Sequence, residues 1–283
     1  NVLIPELTHR FWRLTLQLVG RFKLWSDEAM APLVHPGIAA AEQEKASKSN
    51  SSSRAGTPKP EELSDEAALR LATVFIADID RFDVMIRELF STEIARHLPK
   101  AELDHLSEPD TQPESTLSTS LASLKTSQPA LQNSITQILI ASCAKPLRSV
   151  HVAVSQIKAN NKYSNANATP SYFVPAILKP LKEFLSGPGK LVSEEMRVGW
   201  TRSVVQEIAL KYSTILVKMK EADNSIRRIR GNRQGFSLFG GGSKVSAETA
   251  QADEDKVKVQ MQIDVEALCQ DAKELGIDIE QSK

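Results

Sequence analysis

Cysteine is nearly absent from this 283-residue chain, with Cys143 and Cys269 its only two. They stand far apart, each inside a helical hydrophobic pattern, which excludes a disulfide framework and a CxxC metal knuckle and fits a reducing compartment. Net charge is absent as well, since 35 Lys+Arg stand against 35 Asp+Glu. A chain without an overall field does not gather polyanions at long range, so no nucleic-acid partner is expected and any anionic contact needs a local patch. There is no apolar run long enough to span a bilayer and no signal peptide, so the sequons at Asn50 and Asn167 are expected to be unused. Sustained apolar/polar alternation is also missing, which excludes a sheet architecture. What the chain does have is 41% hydrophobic and 25% charged residues, enough to build a core and too much apolar content for a wholly disordered chain. It opens on Asn1 and is in a helical pattern by Leu3, from which we expect a portion of a longer protein.

The apolar residues recur at threes and fours, the spacing of one helix face. Ile4, Leu7, Phe11, Leu14, Leu18, Phe22 and Trp25 form such a stripe between Leu3 and Met30, with Arg10, Arg13, Gln17 and Lys23 on other faces. Residues 32–60, rich in Ser, Lys, Ala and Pro, hold too few large apolar side chains to offset their ordering entropy and are expected to be flexible. Ser64, followed by Asp65 and Glu66, predicts a helix start. The stripe Leu71, Phe75, Ile79, Phe82, Ile86, Leu89 and Ile94 carries that helix to about Leu98, where Pro99 stops it.

Beyond a polar segment at 105–114, a short series (Leu117, Leu121, Leu124) and a longer one (Leu131 to Ile157) follow, divided by Pro129 and kinked at Pro146. A loop at 160–169 leads to Thr169-Pro170, read as cap and first turn of a helix carrying Phe173, Ile177, Leu181 and Leu185 and closed by Gly187-Pro188-Gly189. Met196, Trp200, Val204, Ile208, Leu210, Ile215 and Met219 mark a long helix ending before Gly231. After a flexible 231–250, Val257, Met261, Val265, Leu268, Ala272 and Leu275 mark the last, which ends at Gly276. The pattern implies an all-α chain, 1–283, forming a single helical domain as an elongated antiparallel bundle. Trp12, Trp25 and Trp200 are all expected in its core.

No catalytic residue, cofactor or metal ligand is indicated. Asp78, Asp80 and Asp83 are read as a solvated polar face, and His97, Asp104 and His105 lack the convergence that a metal requires. No GxSxG elbow or Cys/His signature frames a nucleophile, and GFSLFGGGSK at 235–244 places Ser before Lys with no strand leading in, unlike a phosphate loop. Candidate contact residues are the basic cluster Arg227, Arg228, Arg230 and Arg233, which could meet acidic lipids or an acidic partner or simply answer a helix C-terminal dipole. Phe236, Leu238 and Phe239 beside it are either a docking motif or residues folded back on the bundle.

Three segments carry a resemblance: PELTHRFWRLTLQLVGRFKLW from Pro5 to Trp25, PSYFVPAILKPLKEFL from Pro170 to Leu185, and DEDKVKVQMQIDVEALCQDAKELGI from Asp253 to Ile277. In this order the chain resembles the C-terminal-domain family of subunit 2 of the conserved oligomeric Golgi complex, one of the multisubunit helical-rod vesicle tethers. The resemblance implies a non-enzymatic, peripheral component at the cytosolic face of the Golgi that serves retrograde intra-Golgi transport. Other subunits of the complex, and SNARE proteins, Rab GTPases and golgins, are the partners it implies. The alternative is a peripheral membrane-binding helical module acting through the cluster at 227–233.

Overall fold

The computed structural model describes residues 5–34, 64–97, 113–159, 169–233 and 247–277. Every regular element among the described residues is helical, and the all-α expectation holds. By packing, the fold divides into two compact units, Asn1–Ile135 and Thr136–Lys283.

In the first unit, α1 (Pro5–Val34) lies against α2 (Asp65–Leu89) and α3 (Pro113–Leu124). α2 begins as its sequence dictates: the Ser64 hydroxyl accepts from the Ala67 amide at 3.2 Å, and Asp65 and Glu66 face the positive end of the helix. Trp12 meets the Phe90 ring at 5.0 Å and Phe22 meets Phe82 at 5.2 Å, so rising numbers on α1 pair with falling ones on the other helix and the two run antiparallel. Trp12, Val19, Leu117 and Leu121 form the buried cluster, with Leu16, Phe82, Ile86, Phe90 and Ile94 packed around it. After Leu89 the backbone widens into a π-helical turn, Phe90–Ile94, before a last α-turn at Ala95–His97. The hydroxyls of Ser91 and Thr92 both donate to the Glu88 carbonyl and so compete with the helical amide for it.

A 3-10 turn, Lys125–Ser127, precedes α4 (Gln128–Ala144). The tightening falls next to Pro129, which has no amide to donate.

The second unit begins within α4 and continues through a 3-10 turn at Lys145–Ser149, which contains Pro146, into α5 (Val150–Ala159). The expected stripe is buried here: Leu139, Leu147, Val150, Val154 and Ile157. Next come the single turn α6 (Val174–Ile177) and α7 (Lys179–Ser186), then the long α8 (Glu194–Arg233) and α9 (Ala247–Glu274). Phe173 faces Tyr212 at 6.3 Å and Phe184 faces Trp200 at 5.8 Å, so the chain from Phe173 to Phe184 runs antiparallel to α8. After α7 the chain turns at Gly189, where an added Cβ would lie 3.0 Å from the Phe184 carbonyl and 3.3 Å from its ring. Gly276, at φ +79°, closes α9 with the bonding of a Schellman motif: the Ile277 amide reaches back to Ala272 and the Gly276 amide to Lys273.

Several boundaries differ from the sequence reading. α1 runs through Pro32 to Val34, because the one amide bond that proline removes is confined to the last turn. Thr169 and Pro170 do not open a helix. The Ser171 amide is taken by a side chain of α9, and helix begins only at Val174, with Pro175 and then Pro180 in the first turns of α6 and α7. α8 passes Gly231 and ends at Arg233, since even within a helix interior a glycine costs only about 1 kcal/mol and Gly231 lies in the last turn. α9 starts at Ala247, so the expected flexible segment 231–250 overlaps helix at both ends.

Candidate interaction surface

The largest departure from the sequence reading lies on α1. The face turned inward carries Trp12, Val19, Ser26, Met30 and Leu33, while Leu7, Phe11, Leu14, Leu18 and Trp25 point to solvent. Phe11 is 61% exposed, Leu18 57% and Trp25 66%. α1 therefore has two apolar stripes, roughly 120° apart at 100° per residue. The stripe richer in large residues is the one left uncovered, so of the three tryptophans Trp12 and Trp200 are core and Trp25 is not. Leu24, about 100° round the helix from Trp25, is also exposed, 67%.

The acids on α2 also differ from expectation. Asp78 is exposed and pairs with Arg81, but Asp83 is buried and accepts from Arg87 at 3.0 Å and Lys125 at 2.9 Å. Asp80 accepts from Gln128 at 3.0 Å, with Lys125 at 3.6 Å. The solvated-face reading fails for Asp83, and Asp80 keeps only part of its solvent, because the turn before α4 lies beside them and supplies their partners. They fasten α2 to that turn. Ser134, also buried, donates to the Leu33 carbonyl and holds the C-terminal end of α1.

In the second unit a buried polar knot joins α9 to the start of the α6 turn and to α8. Asp264, 0% exposed, accepts from the Ser171 amide at 2.6 Å, the Ser171 hydroxyl at 2.7 Å and Gln260 at 3.0 Å. Gln260 also donates to the Thr169 carbonyl at 2.9 Å, and the Tyr212 hydroxyl lies 3.5 Å from Asp264 and 3.3 Å from the Met261 sulfur. Burial first, and then the charge of Asp264 and the hydrogen bond to it, push the Tyr212 phenol above its ordinary value of 10.0. As pH climbs past about 10 the unfolded chain ionises this tyrosine before the folded one does, so stability is unaffected below that point and falls above it. Tyr212→Phe is expected to reduce the alkaline decline, read as a shallower fall of the urea midpoint between about pH 9 and pH 11.

Two apolar grooves open on this unit. One, of about 270 Å³, is lined by Val154, Leu216, Met219, Val257 and Met261, with Lys258 and Glu254 paired at its mouth. The other is a shallower depression beside Leu147, His151, Leu210 and Ile215. The second also has Arg148, His151, Glu207 and Lys211 on its walls, with Lys211 paired to Glu207 at 3.6 Å, and among the described residues no three His, Cys, Asp or Glu side chains are placed to hold a metal ion. Cys143 is buried, and its thiol is pushed up to about 11 by that burial, far from the thiolate a nucleophile requires. No helix among the described residues is long and apolar enough to cross a membrane.

Of the residues singled out in sequence, Arg227, Arg228, Arg230 and Arg233 fall on the last turns of α8, where the backbone is described and the side chains are not. Phe236, Leu238 and Phe239 lie outside the described residues, as do Asp104 and His105. The exposed stripe of α1 and the knot at Asp264 were not anticipated. Gln260 and Asp264, four apart and in line with Leu268 on an otherwise apolar face, are the signal that could have found the knot.

The described residues thus form an all-helical protein with buried polar staples and an exposed apolar helix face. The family model "COG complex component, COG2, C-terminal" matches residues 1–265, and the chain belongs to that family. It is 24% identical over 290 residues to the human conserved oligomeric Golgi complex subunit 2, covering 98% of this chain and 38% of that protein. It is 23% identical to the Drosophila melanogaster protein of the same name, over 94% of this chain and 34% of the relative. The Arabidopsis thaliana subunit 2 is 21% identical over 98% of this chain and 34% of its own length. The chain thus spans little more than a third of these relatives. No solved structure matches it.

Proposed function

We propose that this chain is the C-terminal helical part of a subunit of a Golgi vesicle-tethering complex, a non-enzymatic scaffold that works by protein–protein contact in retrograde intra-Golgi transport. Its place would be peripheral, at the cytosolic face of the Golgi membrane, with other subunits of the complex as its first partners and SNARE proteins, Rab GTPases and golgins as further ones. The observation that supports this most is the family match across residues 1–265, joined to a helical surface that leaves Phe11, Leu18 and Trp25 in water. Large apolar side chains grouped on a surface mark contact sites.

The test is removal of this segment from the full-length subunit in cells. The truncated subunit should lose association with at least one other subunit of the complex, and retrograde vesicles should accumulate untethered. Intact association together with normal vesicle capture would contradict the proposal.

A further inference from the structure

The exposed stripe of α1 is spaced as a coiled-coil seam. Leu7, Phe11, Leu14, Leu18 and Trp25 follow one another at intervals of four, three, four and seven, and Arg21 occupies the seam position between the last two. Phe11, Leu18 and Trp25 are the a positions of a heptad and Leu7, Leu14 and Arg21 its d positions, over about 27 Å of helix. All are exposed, as are Arg10, Gln17 and Leu24 along the adjoining g edge. The opposite edge is engaged within the unit, where Phe22 stacks on Phe82.

Charge narrows what can cover this seam. From Leu7 to Trp25 there is no Asp or Glu, and the segment carries Arg10, Arg13, Arg21 and Lys23. Lys23 is paired with Asp27, but no described residue pairs with Arg10 or Arg21. A second copy of this seam would set arginine against arginine, with no acid in either strip to answer it. A bilayer suits the shape poorly. Gln17, Arg10 and Arg21 lie between the exposed Leu24 and the seam, so the uninterrupted apolar strip spans about 60° of arc, whereas a helix lying in a membrane surface presents an apolar face of about 100° or more. A narrow seam edged by cations fits a helix with leucine-type a and d residues and carboxylates at the edge positions.

We infer that the Leu7–Trp25 face of α1 receives an amphipathic helix from another subunit of the complex, with aspartate or glutamate of that helix opposite Arg10 and Arg21. This rests on the reading of the chain as a tethering-complex subunit. The test uses the full-length subunit in the reconstituted complex, with Leu14 replaced by the photo-cross-linking residue p-benzoylphenylalanine. Irradiation should join position 14 to a helix of a different subunit that has heptad apolar residues and Asp or Glu beside the cross-linked site. The double variant Arg10→Glu with Arg21→Glu should lower the yield at least tenfold, and carboxylate→Arg changes on the partner helix should restore it.

Cross-links to the same polypeptide, to lipid, to a second copy or to a segment without acids would overturn the inference, as would a yield indifferent to the arginines. If the unmodified subunit fails to join the complex at all, the functional reading itself falls. If it joins and position 14 captures no helix, only the present inference does.

Discussion

Asp264→Ala is expected to destabilise the second unit by about 3 to 5 kcal/mol, because it removes the acceptor on which several buried donors converge. The Ser171 amide and hydroxyl, the Gln260 amide and the Tyr212 hydroxyl would lose it together, and Gln260 and Tyr212 are buried where water does not readily replace it. The loss should appear as a lower urea midpoint by circular dichroism and as faster amide exchange along α9. Asp264→Asn keeps the shape and one acceptor oxygen but turns an NH₂ toward existing donors. It should fall between wild type and alanine. A midpoint unchanged by Asp264→Ala would mean that the knot is not formed.

Trp12→Ala is expected to cost the first unit a comparable amount, about 3 to 5 kcal/mol, the range for truncating a buried aromatic. Trp12 is 5% exposed, stacks on Phe90 and packs with Val19, Leu117 and Leu121, so its removal opens a cavity where α1, α2 and α3 meet. Trp25→Ala, on the same helix, should stay within about 0.5 kcal/mol of wild type, as surface substitutions do. Urea denaturation of the two variants side by side separates the two stripes of α1. Equal losses would show that both faces are buried.

This contrast shows how far the sequence could be read. Helix type and order followed from spacing alone, since a three–four recurrence fixes a helix whichever side faces inward. The Ser64 start, the Gly276 stop and the breaks at Pro129 and Pro146, read as a division and a kink and found beside 3-10 turns, were legible from local chemistry. The direction of each helix in the packed unit is set by its neighbours and is not local. On α1 the stripe with more large residues looked like the core. The inward face instead carries Trp12 and Val19 with the small polar Ser26, whose hydroxyl bonds back to the Phe22 carbonyl. On α2 the buried line is Ala68, Ala72, Ile76, Ile79 and Asp83, shifted from the larger Leu71 and Leu89 because alanines let a neighbouring helix come close.

Asp83 was misread as solvated, and Asp264 was passed over, for a related reason. Asp83 and Asp264 are buried by partners far away in sequence, Lys125 for one and Ser171 for the other, and no local pattern encodes such a pairing. The contact residues named around 227–239 rest on composition alone. The surface to which the geometry gives most weight came instead from a stripe that the sequence showed plainly and that looked like core.

Acrylamide quenching of tryptophan fluorescence, in the full-length subunit free and within its complex, tests the central claim most directly. Emission from residue 25, isolated by difference against Trp25→Phe, should be readily quenched in the free subunit while Trp12 and Trp200 are shielded, and should become protected on assembly. Shielding of Trp25 in the free subunit, or equal quenching before and after assembly, would contradict the account.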